Sequence, residues 1–316
     1  MKQSKATHHG LLLLNKSTGI SSHAAVDLIR ELFAQKAVGH AGTLDPAAEG
    51  LLVLMLGNAT KAAPYLTNDV KEYEAEIRLG VASPTYDREG VADLTQLPPA
   101  PSVNGEQLRQ ALGSFRGTIT QKVPPFSAVH VDGERLYKKS RKGEFAPTPE
   151  RTVTIETLEL LSYESGIVHL RVICSKGTYI RSLAHDLGQQ LGCGGYLAAL
   201  RRTRSGRFRL DEAFTLEQLQ NAKGSGTLTE LLIPLDRALG FSALTVTEAF
   251  YDHALHGQRP RARDIASVQG EFRSGDHVLL NDARGCVLAI ATAMVTSDTL
   301  SANPECEVLR YERVLP

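Results

Sequence analysis

The chain has 316 residues, of which 42% are hydrophobic and 22% are charged. This length predicts about two domains, and the composition excludes a disordered, collagen-like or membrane-spanning chain. Lys plus Arg and Asp plus Glu number 35 each, so the net charge is zero and a nucleic-acid partner would have to be recognised through an uneven distribution of charge. We expect a cytoplasmic protein, because no secretory signal or membrane span is recognisable and the four cysteines are too widely spaced for a disulfide framework.

The first third of the chain predicts strands and one helix. Residues 11–14 form a short apolar strand, after which Ser21 or Ser22 can cap a helix. Residues 51–56 are all apolar, which is typical of a central strand that is covered on both faces. Residues 71–80 alternate strictly between apolar and charged side chains and predict a half-buried antiparallel strand with Tyr73 on its apolar face.

The rest of the chain mixes strands with separated helices, which predicts an α+β fold. A stretch from 124 to about 151 is polar, basic and poor in core residues, and it resembles an inserted flap. From about residue 240 onward the chain is rich in short strands. The other predicted elements are a loop at 97–102, a helix at 108–115, strands at 152–161 and 167–174, a helix at 180–191, a helix-like segment at 249–256 and strands at 277–280, 287–290 and 307–311.

The first cluster with chemical potential is GHAGTLDPAAEG, residues 39–50. Glycines on both sides of His40 and Asp45 suit a loop that lets a ligand approach the backbone and presents Asp45 at its tip. The alternative is that Asp45 caps a short helix that begins at Pro46.

The second cluster is SKGTYIRS, residues 175–182, where a strand turns into a helix. Arg181 falls in the first helical turn, where the helix dipole disfavours a cation, so a carboxylate partner is expected. The alternative is a solvated surface arginine.

The third feature is positive charge. Arginine clusters can hold phosphates, although each cluster can equally be a solvated face that nearby acids balance. The clustered residues are Arg201, Arg202, Arg204, Arg207 and Arg209, with Lys138, Lys139, Arg141 and Lys142, and with Arg259, Arg261 and Arg263.

No nucleotide-binding, zinc-peptidase or hydrolase motif occurs, so we expect no cofactor. His253 and His256 have no evident third ligand, so we expect no metal.

In these residues the chain closely resembles the TruB-type bacterial tRNA pseudouridine synthases. The resemblance covers most of residues 10–210, and its two most specific elements are GHAGTLDP and SKGTYIRS, in this order and with this separation. The other matching stretches are LLLLNKSTGISS (11–22), LGNATKAAPYL (56–66), KEYEAEIRLG (71–80), residues 115–117, residues 126–137 and residues 174–202.

The resemblance implies an isomerase that acts on uridine 55 in the T loop of tRNA, breaking the N1–C1′ bond and rejoining the ring through C5. Asp45 matches the catalytic aspartate, Tyr73 the tyrosine beneath the base, and Arg181 the arginine paired with the aspartate. His40 matches the histidine that meets the RNA near the flipped nucleotide, and Tyr179 and Leu200 match residues that line the pocket. The further RNA-binding positions implied are Lys16, Gly42, Thr43, His130 and Arg202.

The resemblance also implies a mixed, mainly antiparallel sheet flanked by helices. It places a catalytic domain at residues 1–244, with a thumb at about 124–151, and a PUA-like RNA-binding domain at 245–316 that rests mainly on position. The expected partner is the T arm of tRNA, with no membrane and no partner protein, so we expect a monomer.

Three positions depart from the family pattern. Ser17 stands where proline is common, and Ser83 stands where threonine is expected before Thr85 and Asp87. His130 replaces the usual lysine of the thumb, so the charge of that contact could become pH dependent.

Elementary chemistry agrees with this function. An enzyme that acts on a base must extrude it, at a cost of about a few kcal/mol, and stacking on Tyr73 recovers about 1 to 3 kcal/mol. Asp45 must be ionised to attack C1′ or C6, or to stabilise positive charge on the ribose, and Arg181 favours that charged form. The Tyr73 hydroxyl is the candidate acceptor for the C5 proton.

The sequence leaves open which atom Asp45 attacks. Two other functions remain possible at this point. One is a tRNA-folding chaperone in which modification is secondary, and the other is a carboxylate glycosidase that acts on small sugars.

Overall fold

The computed structural model describes residues 8–67, 70–127, 129–131, 134–136 and 148–315, and of residues 130, 131, 134, 135 and 301 it describes the backbone alone. The described strands, in chain order, are β1 (Gly10–Lys16), β2 (Val38–His40), β3 (Glu49–Leu56), β4 (Lys71–Leu79), β5 (Gly117–Lys122), β6 (His130–Val131), β7 (Glu134–Arg135), β8 (Glu150–Glu164), β9 (Ile167–Cys174), β10 (Gly195–Ser205), β11 (Phe208–Arg209), β12 (Ser242–Val246), β13 (Ile265–Gln269), β14 (His277–Asn281), β15 (Val287–Ala293) and β16 (Leu309–Val314). The described α-helices are α1 (Ser22–Leu32), α2 (Ala63–Thr67), α3 (Gly105–Gly113), α4 (Ile180–Gln190), α5 (Leu216–Ser225), α6 (Leu235–Leu239) and α7 (Tyr251–Leu255). No helix among these is long and apolar enough to cross a membrane.

A nine-stranded sheet forms the centre of the fold. Its strands follow the order β1-β3-β10-β4-β9-β8-β5, with β2 also paired to β3 and β11 to β10. The pairing of β10 with β3 is parallel and the other pairings are antiparallel. The predicted α+β fold with a mixed, mainly antiparallel sheet is therefore confirmed. Strand β10 was not predicted, because its arginines obscure the pattern of a buried strand.

Strands β1 and β3 are apolar throughout because both of their faces are covered. On one face Leu52 and Leu54 belong to the main core, which also contains buried residues of α1 and α4. On the other face Leu51 and Val53 pack in a second cluster that includes residues of the C-terminal sheet, such as Leu279. The C-terminal part of the chain thus completes the burial of the central strands.

Helices α1 and α4 begin where the sequence predicts them, whereas α3 begins at Gly105 rather than at residue 108, and α2, α5 and α6 were not predicted. The Ser21 hydroxyl caps α1 by accepting the Ala24 N–H at 3.0 Å, and Val26 and Ile29 of this helix are buried. Helix α4 begins at Ile180 and turns its apolar face to the sheet.

A separate five-stranded sheet lies at the C-terminus, in the order β13-β12-β14-β15-β16, with a core of its own. It begins at Ser242, so the residue pair 244–245 that the sequence suggests as a domain boundary falls inside β12. The last strand begins at Leu309 rather than at residue 307, and β12 and β13 were not predicted.

Gly50 allows the backbones of β3 and β10 to lie closer together than a side chain at this position would permit. Gly50 pairs with Arg202 across the parallel β3–β10 contact and has a φ of +98°. A Cβ atom at Gly50 would lie 2.4 Å from the Arg202 carbonyl oxygen and 2.8 Å from its nitrogen. This contact sets the position of β10 directly behind the loop that precedes β3.

We expect Gly50→Ala to lower the free energy of unfolding by about 2 to 5 kcal/mol, because it adds a steric clash to an unfavourable φ. The matched control is Gly19→Ala, where φ is +88° and a Cβ would meet no atom within 4 Å. That variant should lose only about 1 to 2 kcal/mol. Urea unfolding measures both, and equal losses would show that the close approach at Gly50 costs nothing.

Candidate active site

Asp45 lies in the loop between β2 and β3, and hydrogen bonds fix this loop at its start and next to Asp45. The Ala41 N–H donates to the Val53 carbonyl at 2.9 Å. Leu44 is held by the Ser22 hydroxyl, which accepts the Leu44 N–H at 2.8 Å and donates to the Leu44 carbonyl at 2.9 Å. No helix begins at Pro46, where the chain makes a turn, so the helix-cap alternative for Asp45 is wrong.

Lys16 is buried beside this loop and reaches it at one carbonyl, that of Pro46. Its side chain is 0% exposed, and Nζ donates to the carbonyls of Ser17 at 2.9 Å and Ile20 at 2.8 Å. The Pro46 carbonyl lies 3.5 Å from the same nitrogen. Burial lowers the pKa of Lys16, against the opposing effect of the Asp45 carboxylate. The donors of Lys16 are used on backbone carbonyls, and direct binding of RNA by Lys16 stays a prediction.

Arg202 holds the same loop from β10. Its side chain is buried, and its guanidinium donates to the carbonyls of Leu51 at 2.7 Å, Gly42 at 3.1 Å and Thr43 at 3.4 Å. Arg202 also lines the cavity described below, and its contact with RNA stays a prediction. Gly42 and Thr43, also predicted to bind RNA, turn their carbonyls toward Arg202 and still line the cavity described below.

Arg181 is the charged partner of Asp45. Its Nε lies 2.9 Å from Asp45 Oδ2, in an ion pair without hydrogen-bond alignment, and its Nη2 lies 3.5 Å from Oδ1. The side chain of Arg181 is 6% exposed, whereas that of Asp45 is 42% exposed. The expected carboxylate partner is present, and the alternative of a solvated arginine is wrong.

A second carboxylate, which the sequence analysis did not single out, also holds Arg181. Asp87 is buried, and its Oδ2 lies 3.4 Å from Arg181 Nη1. The Thr85 hydroxyl donates to Asp87 Oδ1 at 2.6 Å, and the Thr85 carbonyl accepts from Arg181 at 3.2 Å. The signal in the sequence was the S-x-T-x-D spacing of Ser83, Thr85 and Asp87, which is typical of hydroxyl groups that fix a local turn.

These residues surround one cavity of about 590 Å³, which contains most of the predicted site. Tyr73 and Tyr179 line it, and burial raises the pKa of each hydroxyl. The predicted residues that line the cavity are Gly42, Thr43, Asp45, Tyr73, Tyr179, Arg181, Leu200 and Arg202. A more open groove of about 840 Å³ between α3 and β8 contains none of them.

The backbone of Tyr179 is fixed by a side chain from β5. Gln121 accepts the Tyr179 N–H at 2.7 Å and donates to the Tyr179 carbonyl at 2.9 Å. Arg151, which the sequence analysis did not consider, lies over the Tyr179 ring with its Cζ 6.0 Å from the ring centroid. Tyr179 is therefore held both through its backbone and at its ring.

The two predicted histidines are placed differently. His40 is half-buried in β2 and does not line the cavity. Its Nδ1 has no hydrogen-bond partner among the described residues, and burial, followed by Arg202 and His23, lowers its pKa. The side chain of His130 lies outside the described residues, as do Lys138, Lys139, Arg141 and Lys142 of the basic thumb cluster.

Most residues of the other described arginine clusters pair with carboxylates, as the alternative of solvated faces balanced by nearby acids predicts. Pairs join Arg201 to Glu49 at 3.8 Å, Arg204 to Glu72 at 3.3 Å, Arg209 to Asp211 at 3.4 Å and Arg259 to Glu307 at 3.0 Å, and Arg261 and Arg263 share Glu305. Arg207 donates to the Arg237 carbonyl at 3.0 Å. Within the described ranges, no group of three His, Cys, Asp or Glu side chains could hold a metal ion.

Comparison with known proteins identifies the family. The sequence model of the TruB family pseudouridylate synthase N-terminal domain matches residues 30–180, and that of the tRNA pseudouridylate synthase B C-terminal domain matches residues 181–240. The tRNA pseudouridine synthase B of Stutzerimonas stutzeri (strain A1501) is 44% identical over 272 residues, which cover 85% of this chain and 88% of that protein. The protein of the same name from Francisella tularensis subsp. novicida (strain U112) is 44% identical over 278 residues, 88% of each chain.

The chain belongs to the TruB family of pseudouridylate synthases. Two solved structures support this assignment. The H/ACA RNP bound to a substrate RNA containing 2′-deoxyuridine includes a chain with a TM-score of 0.71 and 26% identity, covering 97% of this chain and 85% of that one. A Cbf5-Nop10-Gar1 complex gives a TM-score of 0.71 at 27% identity, with the same coverage. The prediction of an isomerase that makes pseudouridine in tRNA is confirmed by this family membership.

We expect the protein to lose stability as the pH falls through about 6.5, because the lowered pKa of His40 means that the unfolded chain takes up a proton more readily than the folded chain does. Burial also lowers the pKa of His9 and His185. Urea unfolding at about pH 7.5 and about pH 5.5 measures this loss.

The control is His40→Gln, which removes one of the titrating groups. Its loss of stability between the two pH values should be smaller than that of the wild type. An identical loss would show that His40 does not contribute.

Proposed function

We propose that the protein converts uridine 55 in the T loop of tRNA into pseudouridine, acting as a monomer on the T arm in the cytoplasm. The observation that carries this proposal is the arrangement of Asp45, Tyr73 and Arg181 around one cavity of about 590 Å³. A carboxylate at the tip of an anchored loop, with an aromatic ring and a buried arginine beside it, fits the attack on an extruded nucleoside.

The cavity can receive a base that has left the stack. Enzymes that act on a base in a folded nucleic acid flip it into a pocket, where stacking and edge contacts compensate for the lost pairing. Tyr73, Tyr179 and Leu200 supply apolar walls, and Tyr73 is 9% exposed. We assign the stacking contact to the Tyr73 ring.

Asp45 carries the chemistry. In the reaction the N1–C1′ bond breaks, the C5–C1′ bond forms, the proton on C5 leaves and N1 takes up a proton from solvent, so the nucleoside keeps its composition. The partly exposed Asp45 carboxylate can attack C1′ or C6, or stabilise positive charge on the ribose, and each route returns the free carboxylate. The Arg181 guanidinium orients this carboxylate and stabilises its charge.

We assign the C5 proton to the Tyr73 hydroxyl. Burial raises the pKa of Tyr73, so the hydroxyl is protonated before the reaction. It can accept a proton only if its own proton leaves at the same time. Asp45, whose charge raises the pKa of Tyr73 further, is a base in the same cavity that can receive that proton.

Two further parts of the chain are proposed to contact the tRNA. The first is the thumb at about 124–151, including His130; its Phe126 lines the cavity, and the Phe126 carbonyl accepts from Arg181 at 3.1 Å. The second is the PUA-like domain at 245–316. Deleting it would not test its role cleanly, because Leu279 and Ile290 cover the central strands.

Asp45→Asn should abolish pseudouridine formation, with a loss of about three orders of magnitude or more, while tRNA affinity stays within about twofold. Tritium release from C5-labelled uridine in an unmodified T-arm hairpin measures the reaction. The control Asp27→Asn changes an exposed carboxylate of α1 and should leave release unchanged.

Turnover retained by Asp45→Asn would rule out Asp45 as the reacting group. Absence of release from the wild type, with RNA binding intact, would favour a tRNA-folding chaperone. Release from a hairpin in which uridine 55 is replaced by cytidine would contradict the proposed position.

Tyr73→Phe should separate the two roles of Tyr73. The ring is retained, so tRNA affinity should stay within about twofold, whereas loss of the proton acceptor should slow turnover by about 100-fold or more. Tyr73→Leu should also weaken binding, because about 1 to 3 kcal/mol of stacking is lost. Single-turnover rates and filter binding measure both, and wild-type turnover by Tyr73→Phe would exclude the hydroxyl as proton acceptor.

A further inference from the structure

The segment 83–87 contacts helix α4 at two points that are one helical turn apart. At the first point the Thr85 carbonyl and the Asp87 carboxylate hold Arg181. At the second point the Tyr86 ring stacks on the imidazole of His185, with ring centroids 3.8 Å apart and an interplanar angle of 11°. Residues four apart on a helix lie on the same face, so the segment 83–87 contacts two neighbouring positions of that face, Arg181 and His185.

The backbone of Tyr86 is held in an unfavourable conformation. Its φ is +64°, in the left-handed region that bulky residues rarely adopt. Such strain persists where the surroundings impose it, and it is concentrated at functional sites. Here the Tyr86 N–H donates to the Ser83 carbonyl at 3.0 Å, and the Tyr86 carbonyl accepts the Leu197 N–H at 3.0 Å.

The strained turn explains how adjacent residues reach the same helix. In an extended chain, successive side chains point to opposite sides. The left-handed residue breaks this alternation, so that the Tyr86 ring reaches His185 while the next side chain, Asp87, reaches Arg181. The ring stack and the ion pair therefore depend on one local conformation.

His185 suits an aromatic contact better than a polar one. Its Nδ1 is buried and has no hydrogen-bond partner among the described residues. Burial lowers the pKa of His185, against the opposing charge of Asp186, so the ring is neutral at neutral pH and offers a flat face to Tyr86.

We propose that Tyr86 and His185 form a positioning pair, which fixes Asp87 against Arg181 and thereby sets the orientation of the Asp45 carboxylate. Neither residue lines the substrate cavity, so the pair acts on turnover through Arg181 and not on tRNA binding. This inference rests on the proposed roles of Asp45 and Arg181.

The test measures single-turnover rates at saturating enzyme together with tRNA affinity. Tyr86→Ala and His185→Ala should each slow pseudouridine formation by about 10- to 100-fold, because small displacements of positioned groups have effects of this size. Affinity should stay within about twofold, because binding contacts are untouched. Tyr86→Phe and His185→Phe keep the stacked rings and should retain rates within about threefold of the wild type.

Two variants separate positioning from stability. Tyr86→Gly removes the ring but relieves the backbone strain, so it should be more stable than Tyr86→Ala and just as slow. Tyr163→Ala truncates a partly buried tyrosine of β8, away from Arg181, and should lose stability without a change in rate. If Tyr86→Ala fails to fold, Tyr86→Gly and His185→Ala decide the question.

Coupling to Asp87 gives the sharpest outcome. In an Asp87→Asn background, Tyr86→Ala should slow the reaction much less than it does in the wild type, because the two residues act through one contact. The proposal is overturned if Tyr86→Gly reacts at the wild-type rate or if Tyr86→Phe is as slow as Tyr86→Ala. It is also overturned if the rate loss of the double variant equals the product of the losses of Tyr86→Ala and Asp87→Asn.

Urea unfolding of the wild type, Tyr86→Ala, Asp87→Asn and the double variant gives free energies of unfolding, which do not depend on turnover. Non-additive losses of stability are expected for Tyr86→Ala and Asp87→Asn, and additive losses would overturn the pair even if the wild type formed no pseudouridine. Wild-type inactivity would by itself contradict only the proposed function.

Discussion

The buried guanidinium of Arg181 is the interaction on which the site depends. It joins the loop of Asp45, the segment of Asp87 and the carbonyl of Phe126 at the root of the proposed thumb. Removing a cation from water is costly unless it is paired and hydrogen-bonded, so the fold must bring these partners to it. The helix dipole at the start of α4 opposes a cation there, and two carboxylates outweigh that effect.

The two carboxylates have different surroundings and therefore different uses. Asp87 is buried and its second oxygen is occupied by the Thr85 hydroxyl, so it serves to hold the arginine. Asp45 is 42% exposed and faces the cavity, so it can change partners during a reaction. With one cation between two anions, the group has one net formal negative charge, and the exposed member is the one that faces the cavity.

The sequence predicted the parts of the fold that follow from local periodicity. The apolar run of β3, the alternation of β4 and the cap at Ser21 depend on neighbouring residues, and each was recognised. Strand β10 was missed because its charged residues suggest an exposed surface. In the structure one of them, Arg202, is buried, and its partners are carbonyls about 160 positions earlier in the chain.

In the candidate site, too, the sequence predicted what depends on neighbouring residues and missed what depends on contacts between distant parts of the chain. The motifs around Asp45 and Arg181 are local, and their resemblance to one family was sufficient to predict the pair. Asp87 was missed because only the folded chain brings it 3.4 Å from a residue 94 positions away. Lys16 was predicted to contact RNA because it matches such a position in the family, and the sequence does not show that its donors face inward.

The positions of these cations explain how the loop can be both glycine-rich and well fixed. Arg202 binds the Gly42 and Thr43 carbonyls of the loop, whereas Lys16 donates mainly to the Ser17 and Ile20 carbonyls outside it and reaches the loop at the Pro46 carbonyl. These contacts use backbone carbonyls, so the side chain of Asp45 faces the cavity. Arg181 then restrains that side chain from the opposite direction. Because buried donors without partners are costly, any shift of the loop would leave several of them unsatisfied at once. In the proposed reaction, the carboxylate is thereby held in position before substrate arrives, which removes reorganisation from the reaction itself.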